Sequence, residues 1–345
     1  MGSVRGGSVA AQADTWSPDL LQTLLRDPSA ASDERWRRWC AHLLHADLIG
    51  PVELHEWWDV IIEFDPVLSA YTNKPVATPD NTVVVAGSGK EHFKTFNVST
   101  AAAILAAAAG VPVVKGVSQS VSAVSGAADI LDVLGIRPVD HPAAITEALD
   151  RHGIACTAYA NFCPRYAARY DGVFEKLTPA SFFMPVAALC VRAGGYVLGL
   201  AHRDVMLAAA ALRRIRPDIA TGVVASTELT PGEMIDEHSD VGVARIAHLT
   251  DGVIISEVRR RSAPAEAWRT AVAHRPTHGG NAALVAAAVT SCNDTPVARL
   301  VELNAALVVT ASRAGVDLDE ATDQVREARR SGRATRLLTT LTHLQ

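Results

Sequence analysis

Thr82–Thr100 reads TVVVAGSGKEHFKTFNVST, and its reading decides the fold. It opens on a β-branched apolar run, Thr82–Ala86, of the kind that fills a strand buried on both faces of a parallel sheet. The run passes directly into Gly87-Ser88-Gly89-Lys90, and then through Asn97, Ser99 and Thr100 into an Ala-rich helix, Ser99–Ala109. Glycines let backbone N–H groups approach an anion closely, and a helix N-terminus favours negative charge. Ser99 and Thr100 suit either capping that helix or holding phosphate and metal. A plain turn with a hydroxyl cap accounts for the same letters equally well, so the segment alone leaves both open. The spacing is not GxxxxGK[ST], which disfavours a P-loop ATPase.

Upstream of this stretch, Pro79-Asp80-Asn81 is a turn cluster that ends a different kind of chain. From Pro18 to Thr72 the apolar residues recur at helical spacing: Leu20, Leu21, Leu24 and Leu25, then Trp36, Trp39 and Cys40, then Leu43 and Leu44. A helix is expected from Val52 to Phe64, ended by Pro66. Residues 1–15, polar and rich in Gly, Ser and Ala, read as a disordered tail without the apolar core of a signal peptide. Residues 16–76 read as a small helical domain.

Downstream, further strands are expected at Val111–Val114, Ala155–Tyr159, Tyr196–Leu200, Ile219–Val224 and Gly252–Ile255, with helices between them, including Ser125–Leu134 stopped by Gly135. Alternation of this kind predicts an α/β fold with a doubly wound, mostly parallel sheet. From Asn281 to Leu341 the chain reads as helix throughout.

Composition narrows the function. The chain has 345 residues, 49% of them apolar, and a formal net charge of −5. A mildly acidic chain lacks the concentrated Lys and Arg that phosphate neutralisation along a nucleic acid requires. Cys40, Cys156, Cys163, Cys190 and Cys292 show no metal spacing and read as reduced thiols. No stretch is long and apolar enough to span a membrane, so the expectation is a cytoplasmic protein without membrane partners.

Two further segments carry chemistry. Gly110–Gly135, GVPVVKGVSQSVSAVSGAADILDVLG, places Lys115 after a strand and follows it with Ser118, Ser120, Ser122 and Ser125. Hydroxyls beside one Lys suit a polyanionic ligand, although a Ser-rich surface loop has the same letters. The adjacent carboxylates Asp236-Glu237, within PGEMIDEHSDVG, are able to orient Mg²⁺ through its water shell. An isolated acidic pair is more often simply solvated.

Together these segments resemble one family, the anthranilate phosphoribosyltransferases. That family carries a GTGGD-type loop after a strand, then TFNIST, then a loop opened by KHGNR, then SGSADVLEALG. This chain has GSGKE, TFNVST, VVKGVSQSVSA and VSGAADILDVLG in the same order. Asp236-Glu237 falls where the family has its Mg²⁺-binding pair, and GGNAALVAAAV (Gly279–Val289), ELNAALVV (Glu302–Val309) and ARRSGRATRLL (Ala328–Leu338) resemble its closing helices. The likeness runs over residues 15–340. It implies a helical domain, 16–76 joined by 163–184, hinged against an α/β body of 77–162 and 185–345. It further implies a homodimer, and transfer of a phosphoribosyl group from 5-phosphoribosyl 1-pyrophosphate with Mg²⁺ as cofactor.

Carried over position by position, the resemblance implies a donor site of Gly87, Gly89, Lys90, Glu91, Thr95, Asn97, Ser99, Thr100, Lys115, Ser118, Ser120 and Ser122, with Ser99, Asp236 and Glu237 toward the metal. Lys90-Glu91 replaces the family's Gly-Asp. Gly116, Val117, Ser118 and Gln119 replace its His-Gly-Asn-Arg, a stretch that touches both donor and acceptor. The central segment reads Cys163-Pro164-Arg165-Tyr166 and continues to FEKLTPASFFMPV, without an aligned match for the family's acceptor Arg. Ser118, Arg165 and Arg169 are therefore the candidate acceptor contacts, and Phe182 and Phe183 are expected at an apolar mouth. The expected activity is transfer to a small aromatic acceptor other than anthranilate. Anthranilate itself, or a non-catalytic relative that binds nucleic acid or a partner protein, are the alternatives. A nucleoside phosphorylase of similar fold is a further one.

Overall fold

The β-branched run forms strand β1 (Val83–Gly87), buried up to its terminal glycine. The computed structural model describes residues 15–118 and 124–343. In it β1 lies centrally in a sheet of order β3-β2-β1-β4-β5-β7-β8. The strands β2 (Val113–Val117), β3 (Ile154–Ala158), β4 (Gly195–Gly199) and β5 (Thr221–Thr230) are parallel to it. Here the expected doubly wound body is present. Beyond β5 the sheet departs from expectation. The short strand β6 (Glu233–Ile235) and the long strand β7 (Val243–Thr250) both pair antiparallel with β5, and β8 (Val253–Arg260) pairs antiparallel with β7. Neither β6 nor β7 was expected from the sequence.

Successive residues of the buried strands face two different cores, as the pleat requires. Val84, Ala86 and Val114 face one, while Val83, Val85, Val113 and Val117 face the other. The second core is covered by α5 (Val98–Ala108), α6 (Ala127–Val133), α11 (Glu266–Val272), α12 (His278–Thr290), α13 (Pro296–Ser312), α14 (Leu318–Arg330) and α15 (Arg333–Thr342). The first is covered by α7 (Ala144–His152), α9 (Met184–Ala187) and α10 (Val205–Ile215), and runs on without a break into the helical N-terminal region.

That region is helical, as its periodicity demands: α1 (Pro18–Arg26), α2 (Ala30–His45), α3 (Pro51–Phe64) and α4 (Pro66–Asn73). The starts have reasons in the sequence. Ser17 Oγ accepts from the Leu20 N–H ahead of Pro18, and Asp65 accepts from Val67 and Leu68 ahead of Pro66. Trp16, Trp39 and Trp57 stack with centroids 5.0–5.7 Å apart. The Thr15 carbonyl accepts from Trp39 Nε1, so residue 15, expected at the end of the tail, belongs to this cluster. Residues 1–14 lie outside the described chain. The central segment joins the head through α8 (Pro164–Tyr170): the Tyr166 N–H donates to the second oxygen of Asp65 at 2.8 Å.

Among the described residues no helix is long and apolar enough to cross a membrane. Cys40, Cys156, Cys163 and Cys190 are buried free thiols, and Cys292 is exposed. The outer strand β8 leaves Val253, Ile255 and Val258 more than half exposed and ends in a run of arginines, Arg259-Arg260-Arg261.

Strand order locates the site. The chain winds from β1 outward to β2 and β3, then crosses back to place β4 on the other side of β1. The topological switch point, where ligands of such sheets bind, is the crevice at the carboxyl ends of β1 and β4.

Candidate functional site

At that crevice the chain packs backbone against backbone. The Ser88 N–H donates to the Gly199 carbonyl at 2.8 Å, and Ser88 Oγ accepts from the Ala201 N–H at 3.1 Å. Asp236 lies across the two strand ends. A Cβ on Gly87 would come within 2.6 Å of Asp236 Oδ2, and a Cβ on Gly199 would overlap the Asp236 carbonyl. Both positions are therefore glycine for space. Gly89 and Lys90 follow with φ of +59° and +69°, a left-handed turn that glycine accepts freely and lysine only under strain. The turn aims the Gly89 N–H at Asp236 Oδ2, 3.1 Å away.

Glu237, the next residue, is equally enclosed. Its Oε1 accepts from Thr95 Oγ1 at 2.6 Å, while its buried Oε2 has no protein partner. The peptide here is held from two sides. Thr227 Oγ1 donates to the Glu237 carbonyl, and Asn304 brackets His238, with Oδ1 accepting from its N–H and Nδ2 donating to its carbonyl. Asn304 is the asparagine of the ELNAALVV motif, so that motif's task is to pin the acidic turn. Burial raises the pKa of both Asp236 and Glu237, and the negative charge of Glu91 raises both further. Two enclosed carboxyl groups, one with an unpartnered oxygen and with Glu91 nearby, match the chemistry of a hard cation.

Among the described residues no group of three or more potential ligands closes round a metal by itself. Mg²⁺ keeps waters and takes phosphate oxygens for part of its shell, so it draws few ligands from the protein. Asp236 and Glu237 fit this role, and Ser99 is half-buried in the first turn of α5, the helix that follows the loop carrying Thr95.

The other donor candidates divide. Asn97 and Thr100 flank Ser99 at the start of α5, and Asn97 Oδ1 and Thr100 Oγ1 are both buried without a partner. Unsatisfied polar atoms at a helix N-terminus require a ligand or water to complete them. Lys115 is buried, with Nζ against the Gly116 carbonyl; desolvation pushes its pKa down to about 8, while Cys156 and Asp236 pull it upward. Glu91 pairs with Lys94 at 2.7 Å. Lys90 turns away from the loop toward the helical head. Its Nζ donates to Tyr170 Oη at 3.2 Å and sits over the rings of Tyr170 and Phe174. Ser118 is exposed, and its carbonyl accepts from the Ala128 N–H at the start of α6. Ser120 and Ser122 lie outside the described residues.

The acceptor candidates are not brought together. Arg169 is buried in the head, donating to the Leu24 and Asp27 carbonyls, paired with Asp33 at 2.7 Å and stacked over Trp36. Arg165 donates to the Phe64 carbonyl and lies over its ring. Phe182 and Phe183 line no mouth. Both are fully buried, Phe182 edge-on to His202 and Phe183 edge-on to Trp58.

Sequence reasoning missed residues on the far side of the donor loop. The backbone at 272–274 runs antiparallel to 94–96, with the Phe96 N–H to the Val272 carbonyl and the His274 N–H to the Lys94 carbonyl. His274, Asn281, His278 and Ser125 then form a hydrogen-bonded group beside it. The sequence signals were Ser125 in the Lys115 segment and Asn281 within GGNAALVAAAV; His274 and His278 carried none.

Comparison with known proteins bears on this geometry. Residues 80–335 match the profile of the glycosyl transferase family, a/b domain. The anthranilate phosphoribosyltransferase of Methylobacterium sp. (strain 4-46) is 30% identical over 274 residues, covering 77% of this chain and 78% of its own. The one of Leifsonia xyli subsp. xyli is 28% identical over 313 residues, covering 86% and 85%. Among solved structures, anthranilate phosphoribosyltransferase from Thermus thermophilus superposes with a TM-score of 0.72 at 22% identity, covering 96% of both chains, which establishes the likeness of fold. The Saccharomyces cerevisiae protein in complex with PRPP and Mg gives 0.68 at 16% identity, over 95% and 93%. With its acidic turn seated on the glycines of β1 and β4, the chain belongs to the anthranilate phosphoribosyltransferase family of glycosyl transferases.

Proposed function

We propose that this enzyme, a phosphoribosyltransferase by family, moves the phosphoribosyl group of 5-phosphoribosyl 1-pyrophosphate to a small aromatic acceptor other than anthranilate, with Mg²⁺ bound through Asp236, Glu237 and Ser99. The N-terminus of α5, the Gly87–Gly89 turn and Lys115 receive the donor's phosphates. Mg²⁺ held there would supply positive charge to the pyrophosphate leaving group. The protein's own part is positioning. It holds the sugar carbon in line with the incoming nucleophile, inside a crevice walled by packed backbone.

One observation supports the choice of acceptor: the two arginines offered by the sequence as acceptor contacts are engaged elsewhere. A carboxylate entering the cleft loses its water and needs a charged or strongly polar partner. Arg169 is saturated by Leu24, Asp27 and Asp33, and Arg165 is held on Phe64. Ser118 is a short neutral hydroxyl in place of the family's Asn. A neutral aromatic nucleophile fits this lining better than an aromatic acid.

The same reading carries the hinge between head (16–76 with 163–184) and body. Lys90 bridges the two through Tyr170. It also carries a homodimer paired through the head, where Leu48 and Val52 are exposed.

The test is a steady-state assay with saturating donor and Mg²⁺. Anthranilate should be converted with kcat/KM well below about 10⁴ M⁻¹s⁻¹, the lower end of the ordinary enzyme range. A panel of aromatic amines and phenols should contain a better substrate. Anthranilate turnover at or above that level overturns the acceptor assignment. Failure of the donor with Mg²⁺ to raise the melting temperature overturns the transferase assignment itself.

A further inference from the structure

We infer that His274 is a positioning residue that couples the two donor loops, setting the affinity for the phosphoribosyl donor without touching it; the inference rests on the phosphoribosyltransferase reading above. His274 follows α11 and is joined to the first loop by main chain, its N–H donating to the Lys94 carbonyl at 2.8 Å. Its ring spans the gap to the second loop. Nδ1 lies 3.2 Å from the Thr95 carbonyl, an atom that only accepts, so Nδ1 carries the proton. Nε2 is then a bare acceptor whose single lone pair takes the Ser125 N–H at 3.2 Å, with Asn281 Nδ2 also within reach at 3.1 Å. Both ring nitrogens are engaged, and the tautomer is fixed by its neighbours rather than by solvent. Burial lowers the pKa of His274, in keeping with a neutral ring.

The consequence lies in what each partner does. Thr95 is the residue whose hydroxyl holds Glu237, so its backbone position sets one side of the acidic turn. Ser125 stands two residues before α6, and its Oγ is in turn held by His278 Nδ1 at 2.8 Å and Asn281 Nδ2 at 3.3 Å. The Arg275 and Thr277 carbonyls also lie within hydrogen-bond reach of Asn281 Nδ2, so its two hydrogens are shared among these acceptors, which roots the group in α12. A displacement of Ser125 ahead of α6 therefore reaches Thr95 and Glu237 through one imidazole. Without the ring, the Ser125 N–H and Asn281 Nδ2 lose an acceptor and the two loops become independent.

The test compares the full-length enzyme with His274→Gln, His274→Leu and His274→Ala. Gln retains a donor and an acceptor on one short arm. Leu fills the space with neither. Ala leaves room for water and stands in should Leu not fold. Donor affinity is read from the thermal shift given by 5-phosphoribosyl 1-pyrophosphate with Mg²⁺, and KM and kcat with whichever acceptor the panel yields. The expectation for Leu or Ala is a donor KM raised about tenfold, the scale of one or two buried hydrogen bonds. The kcat should stay within about threefold and the ligand-free melting temperature near that of the wild type. Gln should recover most of the loss. Equal donor KM in all four proteins, or a fall in kcat alone, overturns the inference. A wild-type enzyme that shows no donor-induced shift refutes the transferase reading instead, and the two failures are told apart by that control.

Discussion

The two halves of the cleft are built from different materials. The donor half rests on backbone: glycines at 87 and 199 that leave space for Asp236, a left-handed turn at 89–90, and main-chain groups pinned by Thr227 and Asn304. The acceptor side, on the reading proposed above, draws on side chains of the central segment and the end of β2, and there Arg165 and Arg169 are held by the helical head. Such a division lets a family keep its donor chemistry while its acceptor changes. Of the positions where the chain departs from the family pattern, Lys90 and Glu91 lie in the donor loop, while Val117, Ser118 and the helix that carries Arg165 and Arg169 lie at the end of β2 and on the central segment.

The largest effect should come from the backbone half. Gly199→Ala forces a methyl group into the Asp236 carbonyl, so the acidic turn has to move. Donor-dependent activity should fall by about two orders of magnitude, the scale of an ångström's misplacement at a reacting centre, with a lowered melting temperature. Gly87→Ala, which meets only the flexible carboxylate, should cost less. If both variants keep wild-type kinetics, the donor half is not where Asp236 lies.

Next, Asp236→Asn with Glu237→Gln should abolish most of the stabilisation given by donor with Mg²⁺ while leaving the free protein as stable or more so. The sign follows from the raised pKa values. The folded state holds protons that the unfolded chain releases, so the stability contributed by these groups is present below the ordinary carboxylate range and is lost as pH rises through the raised values. Melting of the metal-free wild type should accordingly decline from weakly acid to alkaline pH, and the double variant should flatten that decline. Mg²⁺ should stabilise the wild type more in weakly alkaline than in weakly acid buffer. A steeper decline in the variant than in the wild type would contradict the buried acidic cluster.

Arg169→Met should strike stability and spare the donor. Removing one member of a buried ion pair costs about 3–5 kcal/mol, visible as a lower denaturation midpoint, with donor KM unchanged. A specific rise in acceptor KM would return Arg169 to the cleft. The smallest effect is expected for Lys90→Met. Its ammonium is engaged with Tyr170, so donor KM should rise no more than about threefold, within the range of one exposed cation–π contact.

Much of the molecule was legible from its letters, for physical reasons that differ by element. β1 announced itself because a strand buried on both faces must be an uninterrupted apolar run. α1 to α4 did so because leucines and tryptophans at helical spacing have no other common use. β7 did not, because Arg245 and His248 interrupt its apolar residues, as befits a strand with one partly open face. The three residues of β6 carry no pattern at all. The glycine turn, the hydroxyl helix start and the acidic pair were each ambiguous alone and became specific only through their order. The fate of Arg169 was invisible, since Asp33 and the Leu24 carbonyl approach it only after the head has folded. His274 escaped for the same reason: its partners come from three separate stretches of chain.

The outer strand β8 bears on how the protein behaves in solution. An edge with free N–H and C=O groups and with Val253, Ile255 and Val258 exposed is a template on which a stray strand can grow. Its guard is the Arg259-Arg260-Arg261 run, in which Arg259 is paired with Glu257, so that two approaching edges would bring together the net positive charge of the rest. Charge repulsion of this kind weakens as salt shortens its reach. The soluble lifetime of the protein should therefore be set by ionic strength at this edge as much as by the depth of its cores, with low salt the gentler medium.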